Sequence, residues 1–176
     1  MMHCMLDLET LSAQPTAAIT AIGAVKFDPR DRTVITDRFY CAVDPQSSQQ
    51  LGGHVDARTV QWWLQQSDAA RAHLNDPDAI DLASALVGFL EWYGSDGLPT
   101  WGNGATFDLP ILEHALTRCG FEVPWKFWQQ RCFRTFAAID ASRRVKPEVA
   151  HHALSDAVAQ AQTVQDICDA HGIRIG

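Results

Sequence analysis

The chain has 176 residues, 47% of them apolar and 20% charged, with a formal net charge of −7. That length suits a single domain, 1–176, whose core needs no staples. No apolar run approaches the ~18 residues of a membrane span, and five cysteines without a CxxC argue against a disulfide framework or structural zinc site. The opening MMHCMLDLET lacks a basic region and a cleavage site, so it reads as a strand rather than a signal peptide, and a reducing cytoplasm is the expected location.

The acidic balance argues against a non-specific nucleic-acid binder, but the charge is uneven. Residues 126–146 carry Lys126, Arg131, Arg134, Arg143, Arg144 and Lys146 against Asp140 alone. A basic strip beside an acidic body suits a protein that grips phosphates while holding cations on carboxylates. A solvated surface loop would look the same.

In chain order, strands are expected at 2–8, 17–27 and 34–43, with a turn at 28–32 between the last two. The third strand alternates, with Ile35, Asp37, Phe39, Cys41 and Val43 on one side and Thr36, Arg38, Tyr40 and Ala42 on the other. Asp56 caps a helix over 57–66, and Ser67 caps the next. A helix over 79–93 places Ile80, Ala83, Val87 and Leu90 at helical spacing. A short strand follows at 98–102, then a helix at 108–119 ended by Gly120. After an irregular segment and a short helix, the last helix covers 152–170, with Leu154, Ala157, Val158, Ala161, Val164 and Cys168 as its apolar stripe and Gly172 beyond it. This order describes an α/β domain whose early strands are antiparallel and whose later strands join through helical crossovers.

Three stretches could carry chemistry. In DLET (7–10), Asp7 and Glu9 share one face at the C-terminal end of a strand whose Cys4, Leu6 and Leu8 face the other way. Two carboxylates so close repel, and a divalent cation removes the repulsion. A solvated strand end offers the same pattern. In WGNGATFDLP (101–110), Gly102 and Gly104 allow tight turns around Asn103, and Asp108 opens a helix, a position that dipole complementation alone would explain. In HHALSD (151–156), Asp156 lies early on the last helix.

Asp7 and Glu9, then Asn-x-x-x-Phe-Asp at 103–108, then His-x-x-x-x-Asp at 151–156, are far more specific together than apart. In this order they resemble the DEDD superfamily of 3′→5′ exonucleases, and the histidine spacing resembles its DEDDh branch. The runs VDARTVQWWLQQS (55–67) and PWKFWQQRCFRT (124–135) are similar to a bacterial and phage subgroup that includes ribonuclease AS and the bacteriophage exonuclease A type. The resemblance covers nearly the whole chain. It implies a ribonuclease H-like fold, with a central mixed five-stranded sheet (three antiparallel strands, then parallel ones) flanked by helices.

It also implies phosphodiester hydrolysis with two Mg²⁺ or Mn²⁺ about 3.5–4 Å apart. Such hard cations take oxygen ligands, and Asp7, Glu9, Asp108 and Asp156 provide four carboxylates. By resemblance Asp7 bridges both ions, Glu9 and Asp156 serve the nucleophile side, and Asp108 serves the second ion through water. A histidine off the metals then takes the proton of the attacking water. On a helix His152 shares a face with Asp156, which favours it as a metal partner or structural hydrogen bond. His151 lies about 140° round from Asp156 and falls before the first turn; the DEDDh spacing selects it as the base.

For the substrate, the resemblance puts the terminal nucleotide near the first motif, with backbone at Thr10 and Leu11 against its sugar. Asn103 lies in the second motif, and Phe107 either stacks on the substrate or belongs to the core. Trp62 and Trp63 diverge by about 100° on a helix, so one is core and the other, with Trp62 as candidate, rims the groove. Arg134, with Arg131, could clamp a phosphate or serve a structural role. The expected partners are 3′ ends of single-stranded RNA or DNA, RNA slightly favoured, with no membrane and a plausible homodimer. The competing readings are a single-stranded DNA exonuclease of phage type, a catalytically silent nucleic-acid-binding domain of the same fold, and an endonuclease or a hydrolase of small nucleotides.

Overall fold

The computed structural model describes residues 1–175, the side chain of Thr36 excepted. Five strands form one sheet: β1 His3–Thr10, β2 Ile19–Phe27, β3 Ile35–Ala42, β4 Thr100–Gly102 and β5 Gln130–Cys132. Their spatial order is β3-β2-β1-β4-β5. The first three pair antiparallel, while β4 runs parallel to both β1 and β5. The mixed sheet is as expected, and β5 occupies the segment read from the sequence as irregular.

Seven α-helices flank the sheet: α1 Pro45–Gln50, α2 Ala57–Leu64, α3 Asp68–Arg71, α4 Leu82–Tyr93, α5 Asp108–Arg118, α6 Phe133–Ala137 and α7 Ala153–His171. Asp56 and Ser67 cap α2 and α3 as expected, accepting from Arg58 N–H and Ala70 N–H. The sequence reading passed over α1, although Asp44 caps it and Pro45 sits in its first turn. Gly120 and Gly172 both take positive φ just past α5 and α7.

The strand alternation divides the core. Cys4, Leu6 and Leu8 of β1 face α4 and α5 in the larger cluster, whereas Met5 joins Val25, Trp101, Phe133 and the buried residues of α7. On β3, Phe39 and Cys41 pack toward the α4 side. Ile35 packs on the opposite side, where a register irregularity at Lys26/Phe27 shifts the strand. The expected orientation of Thr36 lies outside the described residues.

The buried stripe of α4 differs from the expected one. Ile80 and Val87 are 41% and 39% exposed, and Leu82, Ala85, Leu86, Phe89 and Tyr93 are buried instead. The chain is still extended at Ile80, which bridges to Val43, and the helix starts only after its Asp81 cap. Burying Phe89 and Tyr93 also removes more apolar area than burying Val87 and Leu90 would.

The last helix is buried on more than one stripe. Ala157, Ala161, Val164 and Cys168 lie on the sheet, and Gln160, Thr163 and Gln165 are buried as well. Leu154 stays partly exposed beside Arg38 and Lys146. Gln165 is satisfied by donating to the carbonyls of Asp28, Asp31 and Val34, which pins the β2–β3 turn to α7.

Backbone meets backbone closely between α7 and β2. A Cβ built on Gly23 would lie 2.2 Å from the carbonyl carbon of Ala153 and 2.3 Å from the nitrogen of Leu154. Gly23 pairs across the sheet with Asp7, so the absent side chain brings the first turn of α7 down beside Asp7. Gly23→Ala is therefore expected to cost about 1–3 kcal/mol through overpacking against backbone that cannot yield. Gly88→Ala on α4, where the nearest atom is 3.7 Å away, is the control and should be neutral or stabilising by up to ~1 kcal/mol. Denaturant unfolding checks both; equal stability of the two variants would refute the account.

Candidate active site

The C-terminal ends of β1 and β4 and the start of α7 meet around a cleft of about 360 Å³. Its lining includes Asp7, Glu9, Thr10, Trp62, Asn103, Phe107, Asp108, Arg134, His151, Asp156 and Gln160. Ten of the candidate site residues named from the sequence thus reach one cleft; Arg131 does not, and neither does Leu11. Its amide donates to Ala18 O and its carbonyl accepts from Asp56 N–H, while its side chain packs with Ala18, Trp63 and Ala70. Leu11 thus lies beside the cleft, next in sequence to Thr10, which lines it.

Asp7, Glu9 and Asp156 each present a carboxylate oxygen within 4.8 Å of the others. Glu9 is 7% exposed, and its Oε1 is buried without a hydrogen-bond partner. Asp156 accepts from His152 N–H at 3.1 Å. Asp108, 1% exposed, stands behind this group with both oxygens engaged. Oδ1 accepts from Leu8 N–H at 3.1 Å and Oδ2 from Asn103 N–H at 2.6 Å. Gly102 makes this packing possible, since a Cβ there would meet the Asp108 side chain at 3.0 Å.

Burial raises the proton affinity of all four acids. Asp7 is held well above the usual carboxylate range by burial and then by the charges of Asp108, Glu9 and Asp156. Glu9 is pushed up to about 8 by burial, with Asp156 and Asp108 adding to it. Asp108 rises to about 6 from burial, held back by the amides of Asn103 and Leu8. Asp156 also rises through burial, opposed chiefly by His151. Clustered, desolvated carboxylates with an orphaned oxygen fit a hard divalent cation, which would discharge the repulsion and take the free lone pairs.

The two histidines separate cleanly. His152 is the N-cap of α7: its Nδ1 accepts from Ser155 N–H at 3.4 Å, and its ring stacks on Tyr40 at 4.6 Å, outside the cleft. His151 lines the cleft and has φ 61°, the one positive-φ non-glycine residue among those described. Its ring meets Trp62 edge-to-face at 4.9 Å. Trp62 is 41% exposed, whereas Trp63 is 2% exposed and donates from Nε1 to the Thr10 carbonyl. Both rings line the cleft, Trp62 as the exposed one and Trp63 as the buried one.

Phe107 both lines the cleft and packs on the larger core cluster. Arg134 reaches the cleft and donates to the Asn103 carbonyl at 3.0 Å. Arg131 does not: it donates to the carbonyls of Trp128 and Gln130, and its charge acts on His3 at the opposite end of β1. The rest of the expected basic strip disperses likewise, with Arg143 paired to Asp140 and Arg144 over the Phe133 ring.

Gln160 escaped the sequence reading. Its Nε2 donates to Asp7 Oδ1 at 2.7 Å. It follows Asp156 by four residues on the last helix, and that i, i+4 spacing, which puts both on one face, was the available signal.

The raised acids carry a stability signature. Native Glu9 and Asp7 retain protons at pH values where the unfolded chain has lost them, so unfolding free energy falls as pH rises through the native pKa of Glu9, about 8. Buried His3 and His73, each lowered to about 4, act in the opposite sense only below about 6.5. In chelator, the unfolding free energy should therefore fall between about pH 6.5 and 8.5, by up to ~1.4 kcal/mol per pH unit per site, and the melting temperature with it. Glu9→Gln should flatten the slope and raise the melting temperature at the alkaline end. A wild-type melting temperature that is constant across this window would contradict the assignment.

Residues 2–168 match the model of the 3′-5′ exoribonuclease Rv2179c-like domain. The chain is 26% identical over 160 residues to the exodeoxyribonuclease of Enterobacteria phage T4, a match spanning 77% of this chain and 70% of that protein. Exonuclease X in complex with 5′ overhanging duplex DNA has a similar fold, with a TM-score of 0.62 at 18% identity, covering 97% of this chain and 93% of the other. The nuclease domain of 3′hExo, a DEDDh family member bound to rAMP, gives a TM-score of 0.62 at 12% identity, covering 99% and 96%. The chain belongs to the 3′-5′ exoribonuclease Rv2179c-like family.

Proposed function

We propose that this chain removes nucleotides from the 3′ ends of single-stranded nucleic acid or 3′ overhangs in a divalent-metal-dependent reaction, with RNA the favoured substrate. The observation that carries the reading is the group formed by Asp7, Glu9 and Asp156, whose ligand oxygens lie within 4.8 Å of one another. These three would hold Mg²⁺ or Mn²⁺. Asp108, with both oxygens already on backbone amides, would serve a second ion through water. Bound there, the ions supply charge neutralisation at the phosphate and a more acidic water.

The chain's own groups do the rest. His151 stands in the cleft outside the carboxylate group, and its imidazole takes the proton of the attacking water. The water oxygen bonds to phosphorus, the bond from phosphorus to the 3′-oxygen of the penultimate nucleotide breaks, and a nucleoside 5′-monophosphate leaves. The Trp62 ring offers a flat face to a base, and Thr10, Asn103 and Phe107 line the same cleft. The Arg134 guanidinium, steadied on the Asn103 carbonyl, faces the phosphate and leaves the carboxylates their charge.

RNA is favoured because the matched domain family is named for exoribonucleases. The phage T4 relative supports the DNA reading. Matched 3′-tailed RNA and DNA assayed side by side with Mn²⁺ should give faster RNA loss, and faster DNA loss would reverse that preference. EDTA should abolish mononucleotide release, and a blocked 3′ end should prevent it. We extend the reading to a homodimer, supported by the exposed Phe127 and Trp128 beside β5 at the edge of the sheet; light scattering at the monomer mass would reject it.

His151→Ala is expected to lower kcat by about 10²–10⁴-fold while leaving Mn²⁺ affinity unchanged. His152→Ala should cost about 1 kcal/mol of stability as a lost helix cap and keep activity within a few-fold. The opposite pattern in single-turnover rates would move the base to His152.

A further inference from the structure

Among the polar side chains of the cleft for which the acid and histidine motifs assign no task, Gln160 is the one bonded to an acid. Gln160 is 6% exposed, donates from Nε2 to Asp7 Oδ1 at 2.7 Å, and leaves its Oε1 buried with no partner. A buried amide oxygen without a donor is costly in a folded protein, so its retention here calls for a reason.

The reason lies in what surrounds Asp7. Its neighbours Glu9, Asp108 and Asp156 all repel it, and a free carboxylate would rotate away from them. A hydrogen bond from Gln160 fixes one oxygen and leaves the other for the shared group. Lys or Arg could make the same bond but would cancel a charge that a cation needs. Gln is the donor that orients without neutralising. Its Oε1 is left buried without a donor, beside the residue's one bond to Asp7.

We propose that Gln160 is a positioning residue of the carboxylate site: a charge-neutral clamp on Asp7 that sets divalent-cation affinity. The inference rests on the metal-dependent reading above. It follows the general pattern in which groups behind the ligands tune metal binding by about 10–100-fold.

Calorimetric titration of chelator-stripped protein with Mn²⁺ alone tests it without using turnover. Q160M, close in shape and lacking the donor, should weaken Mn²⁺ binding at least tenfold, with a metal-free melting temperature within about 2 °C of wild type. Q160K, which can still reach Asp7, should weaken binding further, because it adds a positive charge. Excess Mn²⁺ should restore the Q160M turnover rate to within about threefold. If Q160M does not fold, Q160N, whose amide is one methylene too short, carries the same expectation. Unchanged Mn²⁺ affinity in Q160M or Q160N, with or without a lower melting temperature, would leave Gln160 a packing residue and overturn the proposal. Wild-type affinity in Q160K would overturn the requirement for neutrality. A wild-type protein that binds no Mn²⁺ sinks the metal reading itself, and this inference with it.

Discussion

The geometry of the cleft rests on how closely one helix can lie on the sheet. Asp7 is fixed by strand pairing, but its partners Asp156 and Gln160 belong to a helix that begins about 145 residues later. Only the missing side chain at Gly23, cross-strand from Asp7, lets the first turn of α7 settle against β2. A helix ordinarily packs about 10 Å from the sheet beneath it because side chains keep it there. Removing that spacer at one point turns an ordinary layer contact into one that brings carboxylates within ligand reach of each other. The small residues Ala153, Ala157 and Ala161 extend the same close approach along α7. Gln165, clamped to three carbonyls of the β2–β3 turn, holds the far part of the helix in register.

Once the acids are brought together, the surrounding groups leave their charge uncancelled. The groups bonded to them are backbone amides and the Gln160 side-chain amide. Arg134 is tethered to a carbonyl, and Arg131 is turned to the other end of the sheet. Native proteins pair buried carboxylates with cations more often than not, because an unpaired buried charge is expensive. Here the expense is carried by the folded state, and the same deficit that weakens the empty protein would attract a cation. Stability and affinity therefore oppose each other at the same atoms.

The sequence made the catalytic order legible because the motifs sit at element ends, where spacing translates directly into geometry. DLET alternates on a strand, and the separation of His151 from Asp156 straddles a helix start. The separate placement of the two histidines followed from that start. His152 ends as a cap, and His151, one residue earlier, adopts left-handed backbone that helical periodicity does not describe. Other features depended on long-range packing. The buried face of α4 is set by which aromatic side chains fill the space beneath β3, and the three residues of β5 form a strand only because β4 is beside them. A basic strip visible as composition dispersed once the chain folded, since cations close in sequence found separate partners. Gln160 was missed for another reason: a neutral amide draws no attention until the carboxylate it touches is known.

Asp108 has a double allegiance. Its carboxylate joins the amide of Leu8 on β1 to the amide of Asn103 at the end of β4, so it fastens two parallel strands whose connection spans about half of the chain. Asp7, Glu9 and Asp156 have no comparable architectural duty. In a lineage released from selection for hydrolysis, those three would drift first, and their loss would relieve repulsion. Asp108 would persist as a clasp. Its presence alone in a degenerate relative is thus a record of shared architecture and carries no information about surviving chemistry.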